Sequence, residues 1–387
     1  MEKRNILSSL FLISLILFLS CGDSSSIPEL NYFNKDLPIN NNVMLCILHP
    51  SYGSLSSLIN LKEKGVFGDD NLIVVGVYHE EELTNYRNSF ELIKEKGLNW
   101  IKFHRLKGKI TKDNLFQENT FTSEFKNIIS KSDGIIFFGG ADIPPYIYGE
   151  KTDLLTSIRT PVRHFLELSF VFHLLGGYQN NKFIPLLDSY PDFPVLGICL
   201  GEQTLNIGTG GTMIQDIWSE NYGKNFVEDI IALPKENWHS NPYPRLYPEK
   251  NLIRINLHPI NLSPEGIFVE RFGFSAQDTP LICSSHHQAV DDLGKGMKIC
   301  ATTLDGKVIE AIQHKKYKNV LGIQFHPEFP MLWDPEASYL LTPQDEKGIT
   351  PLKALKNSPP SFSFHKKIWS WFYDSLQEFH QSKIKQN

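Results

Sequence analysis

One cysteine, one histidine and one glutamate stand where they could do nucleophilic chemistry. Cys199 lies in Gly197-Ile-Cys199-Leu-Gly201, between an apolar run, Pro194 to Ile198, and a helix start at Leu200. This is the pattern of a nucleophile elbow, in which a strand breaks sharply into a helix and presents one side chain at the tip. Glycines two residues to either side keep Cβ atoms out of a turn too tight for them. The helix N-terminus also favours a thiolate. A buried cysteine in an ordinary βα turn would leave the same local pattern, so the distant residues decide. Far downstream, Val320-Leu-Gly-Ile-Gln-Phe-His326-Pro-Glu328 delivers a histidine at the end of a strand-like run, with a carboxylate two residues on. A histidine can act as general base toward a thiol, and a carboxylate can fix its tautomer and support the imidazolium. Cysteine and histidine distant in sequence and adjacent in space is the arrangement expected of a thiol hydrolase. A third piece is Phe138-Gly139-Gly140-Ala-Asp142. Two glycines straight after a buried strand let backbone N–H groups face a ligand, the geometry an oxyanion hole needs; a plain turn reads the same way. Ser284-Ser-His286-His287-Gln288 follows the apolar run Leu281 to Cys283 and either lines a pocket or forms a solvated turn.

These residues need a scaffold. Val43 to Leu48, Leu72 to Val77, Gly134 to Phe138 and Val195 to Ile198 read as strands buried on both faces, and Phe121 to Ser130 and Arg163 to Leu175 read as helices. Apolar strands alternating with helices predict an α/β fold around a largely parallel sheet. Sites in such sheets lie at the carboxyl ends of strands, where Gly139-Gly140, Cys199 and His326 all fall. Asp216 to Asn319 is a mixed region of short strands, proline and asparagine. Residues 329–362 read as an irregular insertion, broken at Pro359-Pro360. Residues 363–382 then space Trp369, Phe372, Leu376 and Phe379 as the apolar stripe of a C-terminal helix packed on the body.

A chain of 387 residues with 41% hydrophobic and 21% charged residues is ordinary globular material, enough for one large or two medium domains. A formal charge of -5 argues against a nucleic-acid partner. There is no internal repeat, no P-loop and no zinc-type Cys/His spacing, so no metal or cofactor is expected. Residues 1–21 combine Lys3 and Arg4 with an apolar stretch, Ile6 to Ser20, too short to span a bilayer easily. The end, Leu17-Phe-Leu-Ser-Cys21-Gly, resembles a bacterial lipoprotein signal with Cys21 as the lipidated residue, although Phe18 departs from the usual pattern. A plain secretory signal or an uncleaved anchor are the alternatives. On the lipoprotein reading the protein sits in the cell envelope, periplasmic or surface, held to a membrane by lipid. Residues 22–42 are then a tether and residues 43–387 the folded domain. Cys46, Cys283 and Cys300 lie in apolar strand-like runs and read as core residues, with no disulfide framework.

The motifs in order also resemble a family. Gly139-Gly-Ala-Asp142, Tyr148-Gly-Glu150, Arg163…Glu167, Gly197-Ile-Cys-Leu-Gly-Glu-Gln203, Gly210-Gly-Thr-x-x-Gln-Asp216, Ser285-His-His-Gln288 and His326-Pro-Glu328 are similar to the class I glutamine amidotransferase superfamily. Within it they look most like the γ-glutamyl-γ-aminobutyrate hydrolases, the C26 peptidases. The resemblance covers about residues 133 to 329. It implies a flavodoxin-like three-layer α/β/α sandwich and a cysteine hydrolase of γ-glutamyl amides that needs no cofactor. It implies Cys199 as nucleophile, His326 as general base and Glu328 as its orienting acid. Gly140 and Leu200 would supply the oxyanion-hole N–H groups, and Gly139, Gln203, His286 and His287 would lie near the substrate. Leu200 and Glu202 stand where the C26 pattern commonly has Arg and Met, which alters the expected charge at the pocket floor. Two other readings stand beside hydrolysis: a glutaminase subunit feeding ammonia to a partner, and an inactive envelope-anchored binding protein.

Overall fold

In the first strand, successive side chains enter two different cores. The computed structural model describes residues 29–37 and 41–386, and within it β1 (Val43–Leu48) sends Val43, Leu45 and Ile47 into one core and Met44, Cys46 and Leu48 into the other. A strand that is apolar at every position can be stable only when covered on both faces. The same holds for β2 (Leu72–His79), β4 (Gly134–Phe137) and β5 (Val195–Ile198). Helices α1 (Tyr52–Glu63) and α2 (Arg87–Lys96) cover one face, together with a C-terminal helix, Ser361–Gln386. Helices α3 (Thr122–Lys131), α4 (Pro161–Leu175) and α5 (Leu200–Gly208) cover the other. The result is a flavodoxin-like α/β/α sandwich.

The remaining strands are β3 (Ile101–Leu106), β6 (Met213–Ile214), β7 (Asn256–Leu262), β8 (Leu281–Ser284), β9 (Ala289–Val290), β10 (Met297–Thr303), β11 (Ile309–His314) and β12 (Val320–Ile323). Among the described residues the main sheet runs β3-β2-β1-β4-β5-β12-β11-β10-β7-β8, and β6 pairs with β9 in a separate ribbon. From β3 to β12 every pairing is parallel; from β12 to β8 every pairing is antiparallel. Apart from the edge strand β3, the parallel half follows the flavodoxin-like order, which reverses between β1 and β4, and a ligand crevice is expected at that reversal. The antiparallel wing accounts for the mixed composition of residues 216–319.

Some elements differ from the sequence expectation. Strand β3 is too polar (Ile-Lys-Phe-His-Arg-Leu) to stand out as a buried strand, and it is an edge strand. Its edge is covered by residues expected in the tether: Arg105 N–H donates to the Leu30 carbonyl at 2.7 Å, and Phe33 is fully buried. An unpaired strand edge and one apolar anchor are enough to recruit that segment into the fold. Residues 329–362 are not wholly irregular, since Pro351–Asn357 is helical. The C-terminal helix extends beyond 363–382 at both ends. Cys21 and the leader lie outside the described residues, among which no helix is long and apolar enough to cross a membrane. Cys46, Cys283 and Cys300 are free and buried, as expected.

The C-terminal helix is part of the core. Trp369 is fully buried, with its ring centroid 5.2 Å from that of Phe67. Trp369→Ala should therefore lower unfolding stability by about 3–5 kcal/mol, the cost typical of truncating a buried Trp. Urea unfolding of both proteins checks this through the midpoint at unchanged slope.

Candidate active site

Strand β5 ends at Ile198 and helix α5 begins at Leu200, leaving a single residue to make the turn. Cys199 makes it at φ +54° and ψ −107°, a left-handed backbone rare for any residue but glycine. The flanking glycines make room for it. A Cβ at Gly197 would meet the Gly201 carbonyl at 2.5 Å, and a Cβ at Gly201 would collide with the Phe137 carbonyl oxygen. Cys199 N–H donates to the Ile323 carbonyl at 2.8 Å, which fastens the elbow to β12. The Leu200 N–H belongs to the first turn of α5, where N–H groups lack partners within the helix.

Strand β12 hands on to His326, whose N–H donates to the Cys283 carbonyl at 2.8 Å. Its Nδ1 lies 2.7 Å from Glu328 Oε1, and its ring stacks on Phe329 at 4.2 Å and 11°. These contacts turn the opposite edge of the ring to the Cys199 side chain, with which it hydrogen-bonds. The Pro327 carbonyl between them is clamped by two indole N–H groups, Trp333 at 3.0 Å and Trp369 at 3.1 Å. Burial pulls the His326 pKa down, but the negative charges of Glu328 and Cys199 and the hydrogen bonds to both outweigh it and hold it near 10. The imidazole is therefore protonated at neutral pH.

The Gly139-Gly140 turn follows β4 and faces this pair. A Cβ at Gly139 would sit 3.5 Å from Cys199 Cβ and 3.2 Å from His326 Cε1, so the backbone approaches the thiol as closely as a glycine allows. Buried Arg163 donates to the Phe138 and Gly139 carbonyls at 2.9 and 3.1 Å and pairs with Glu167 at 2.7 Å. In a planar trans peptide the C=O and the following N–H point in opposite directions. Pulling the Gly139 carbonyl toward Arg163 therefore turns the Gly140 N–H the other way. Arg163 is the positioning residue for that donor. It also tempers the effect of burial on Glu167, which still titrates near 7.

A cleft of about 480 Å³ opens beside the turn, lined in part by Gly139, Gly140, Asp142, Arg159, Arg163 and His287. His287 lies between Asp142, at 3.2 Å, and Asp216, at 3.4 Å. His49 also reaches the cleft, at φ +56° and within 2.9 Å of Glu82 and 2.7 Å of the Tyr86 hydroxyl. Sequence reasoning missed it; a histidine and proline directly after a buried strand were the available signal.

Thus Cys199, His326, Glu328, Gly139, Gly140, Leu200 and His287 come together. Gln203 and His286 do not face the cleft as expected. Gln203 donates to the Gln324 side chain at 3.1 Å and joins α5 to the segment after β12. The His286 ring turns into the interior of the antiparallel wing, where Nε2 lies 3.8 Å from Glu310. The two adjacent rings diverge here, and it is His287 that takes the cleft. Glu202 is not at a pocket floor either. It is fully buried under the elbow, its pKa pushed well up by burial and by repulsion from Glu310 and Cys199. It adds no charge to the cleft.

The family model of Peptidase C26 matches residues 74–328, from β2 to Glu328. The chain belongs to the Peptidase C26 family. The glutamine amidotransferase-like protein YvdE of Lactococcus lactis is 29% identical over 215 residues, 56% of this chain and 73% of its own length. A glutamine amidotransferase-like protein of Rickettsia prowazekii is 30% identical over 223 residues, 51% of this chain and 70% of its own. A glutamine amidotransferase of Mycobacterium tuberculosis is 29% identical over 201 residues, 52% of each chain. This C26 chain is therefore a class I glutamine amidotransferase-like protein of the hydrolase and amidotransferase kind.

The His287 pairs carry a pH signature. Burial lowers its pKa, but Asp142 and Asp216 outweigh burial and raise it from 6.5 to about 9. A group raised in the folded state stabilises fully below its unfolded pKa and loses that contribution as pH rises through the folded value. Stability should therefore decline between about pH 6.5 and pH 9, by at most about 3 kcal/mol. Unfolding curves across this range should show the decline, and it should be shallower in His287→Gln, in which only the other raised histidine, His326, still contributes.

Proposed function

We propose that this protein hydrolyses γ-glutamyl amide bonds through a glutamyl thioester on Cys199. The observation that carries the reading is the strained elbow, which presents Cys199 to a Glu328-oriented His326 beside a Gly140 N–H aimed by Arg163. Cys199 Sγ attacks the γ-carbonyl carbon, and the oxyanion falls between the Gly140 and Leu200 N–H groups. His326 gives its proton to the leaving amine as the C–N bond breaks. It then takes a proton from water, which adds to the thioester, and keeps that proton as the C–S bond breaks, so that glutamate leaves and the thiolate–imidazolium pair is restored. Preorganised N–H donors of this kind are worth most where negative charge develops in a site that excludes water. The cleft displays cations, Arg159 and His287, and the carboxylate of Asp142, a set suited to the α-carboxylate and α-ammonium of a glutamyl group. Membership of the C26 family and the glutamine amidotransferase-like names of its relatives support amide chemistry at this carbonyl. The lipoprotein-like leader, ending in Cys21, supports an address in the bacterial cell envelope, where no cytosolic partner would receive ammonia. That favours hydrolysis over supply of ammonia to a synthase.

The test is release of free glutamate from a panel of γ-glutamyl amides and glutamine. The wild-type protein should release it from at least one γ-glutamyl amide, and Cys199→Ala should be slower by about 10⁴-fold or more. Release from glutamine alone would favour the ammonia-supplying reading. No release from any member by the folded protein would favour a binding protein.

Two variants test the roles of neighbouring residues. In Gly140→Ala the new methyl collides with the Arg163 guanidinium, which must release the Gly139 carbonyl. Its kcat should fall by about 10²–10³ with KM little changed, because the lost donor acts on the transition state. In Glu328→Gln the charge that raises the His326 pKa is removed, so the alkaline limb of the rate profile should move down from about pH 10. A pH–rate series on both proteins measures the displacement.

A further inference from the structure

A second set of side chains, apart from the thiol site, has the make-up of a metal centre. Three segments converge on Glu310 of β11 in the antiparallel wing: His239 from the stretch after the turn at 235–237, His258 from β7 and His286 from the turn after β8. All four side chains are buried at 2% exposure or less. His239 Nδ1 lies 3.3 Å and His258 Nε2 3.7 Å from Glu310 Oε1, and these three ligand atoms fall within 4.8 Å of one another. His286 Nε2 approaches the other carboxylate oxygen at 3.8 Å. Ligand atoms about 2.0–2.1 Å from a tetrahedral ion stand about 3.3 Å apart, so a small contraction would close the set.

The hydrogen bonding around the rings points the same way. His258 Nδ1 lies 3.2 Å from the Pro259 carbonyl and His286 Nδ1 lies 2.8 Å from the Gln288 carbonyl. A carbonyl can only accept, so in each ring Nδ1 carries the proton and Nε2 presents its lone pair to Glu310. Donation of the second ring N–H to a backbone carbonyl is the usual outer support of a metal-bound histidine. Neither Glu310 oxygen has a hydrogen-bond donor, and neither Nε2 of His258 and His286 nor Nδ1 of His239 has a partner, although all are shut off from water. Buried polar atoms are normally satisfied. Lone pairs that face a carboxylate from several sides are all satisfied at once by a cation placed between them.

We propose that His239, His258, His286 and Glu310 bind one divalent transition-metal ion, zinc by its preference for imidazole and carboxylate in a closed four-coordinate site. The site is structural, since no coordination position opens to solvent. It would pin the wing to the catalytic layer at two places. The Glu310 carbonyl accepts from Gln324 N–H at 2.9 Å, two residues before His326, and His286 adjoins His287 of the cleft. Sequence spacing hid the set because its members come from separate strands and turns 19, 28 and 24 residues apart (258 − 239, 286 − 258, 310 − 286).

The experiment is metal analysis of the purified full-length protein, as isolated and after equilibration with zinc followed by desalting, with thermal unfolding alongside. About one zinc per chain is expected, with an unfolding temperature raised by zinc and lowered by a strong chelator. Cys199→Ala should keep the ion, while His258→Gln and Glu310→Gln should lose it. Protein grown with cobalt should show tetrahedral visible bands without a sulfur-to-metal charge-transfer band, which separates this site from the Cys199–His326 pair. Folded wild-type protein that holds less than about a tenth of an equivalent after equilibration, with no change in unfolding temperature, would overturn the proposal whatever the variants do. So would zinc that is lost with Cys199.

Discussion

The site depends on one close approach of backbone to backbone. At the elbow the chain turns from β5 into α5 through Cys199 alone, which requires a left-handed φ at a residue that has a Cβ. Such a conformation costs on the order of 1–3 kcal/mol and persists only where the surroundings determine it. Here they do so from three sides. Gly201 lies against the Phe137 carbonyl of β4, Gly197 lies against the Gly201 peptide, and Cys199 N–H is held by Ile323 of β12. The strain is thus distributed over three adjacent parallel strands whose own stability comes from burial on both faces. Because those strands are neighbours, their carboxyl ends also bring the Gly139-Gly140 turn and the His326 segment to the thiol without any long excursion of the chain.

The second constraint is orientation, and buried side chains outside the cysteine–histidine–glutamate set supply it. A histidine on a short turn has two rotatable bonds. Glu328 and Phe329 settle the ring, but both sit on the same turn and would move with it. The turn itself is held through the Pro327 carbonyl, by Trp333 from the segment after the histidine and by Trp369 from the C-terminal helix. That helix therefore fills the core beneath one face of the sheet and also fixes the turn that carries His326. Arg163 does the corresponding work on the other wall, by holding the Gly139 carbonyl. In both places a carbonyl is gripped, and the turn that carries it is held beside the thiol.

The parallel half of this architecture was legible in the sequence because its signals are local. Val43–Leu48 and Val195–Ile198 are apolar at every position, and Gly197-x-Cys-x-Gly201 and His326-x-Glu328 are contiguous patterns. Strand β3 was not legible, since Lys102 and Arg105 alternate with its apolar residues as an edge strand permits. Nor was the recruitment of Leu30 and Phe33, which depends on a tertiary edge that the sequence does not announce. Among the site residues, those whose place follows from backbone position, such as Gly140 and Cys199, could be located in advance. Those whose role follows from side-chain direction could not. His286 and His287 are adjacent and chemically identical, and only the packing of the wing decides which one meets Asp142 and which one meets Glu310.

That division of the histidine pair has a consequence for selectivity on the proposed hydrolytic reading. The groups that would act on the carbonyl, Cys199, Gly140 and Leu200, belong to the parallel half, where packing leaves no freedom. His287 follows β8 of the antiparallel wing, its Asp216 partner follows β6 of the small ribbon, and the wing meets the parallel half at β12, the strand that delivers His326. The His326 N–H to Cys283 carbonyl bond and the Gln324 N–H to Glu310 carbonyl bond make the wing and the base one hydrogen-bonded layer. A shift of the wing that widened the cleft for a different substrate would therefore also displace His326. The wing must be rigid for the base to be placed, and a cluster of buried histidines around one carboxylate, drawn from four segments, is where that rigidity has to be made.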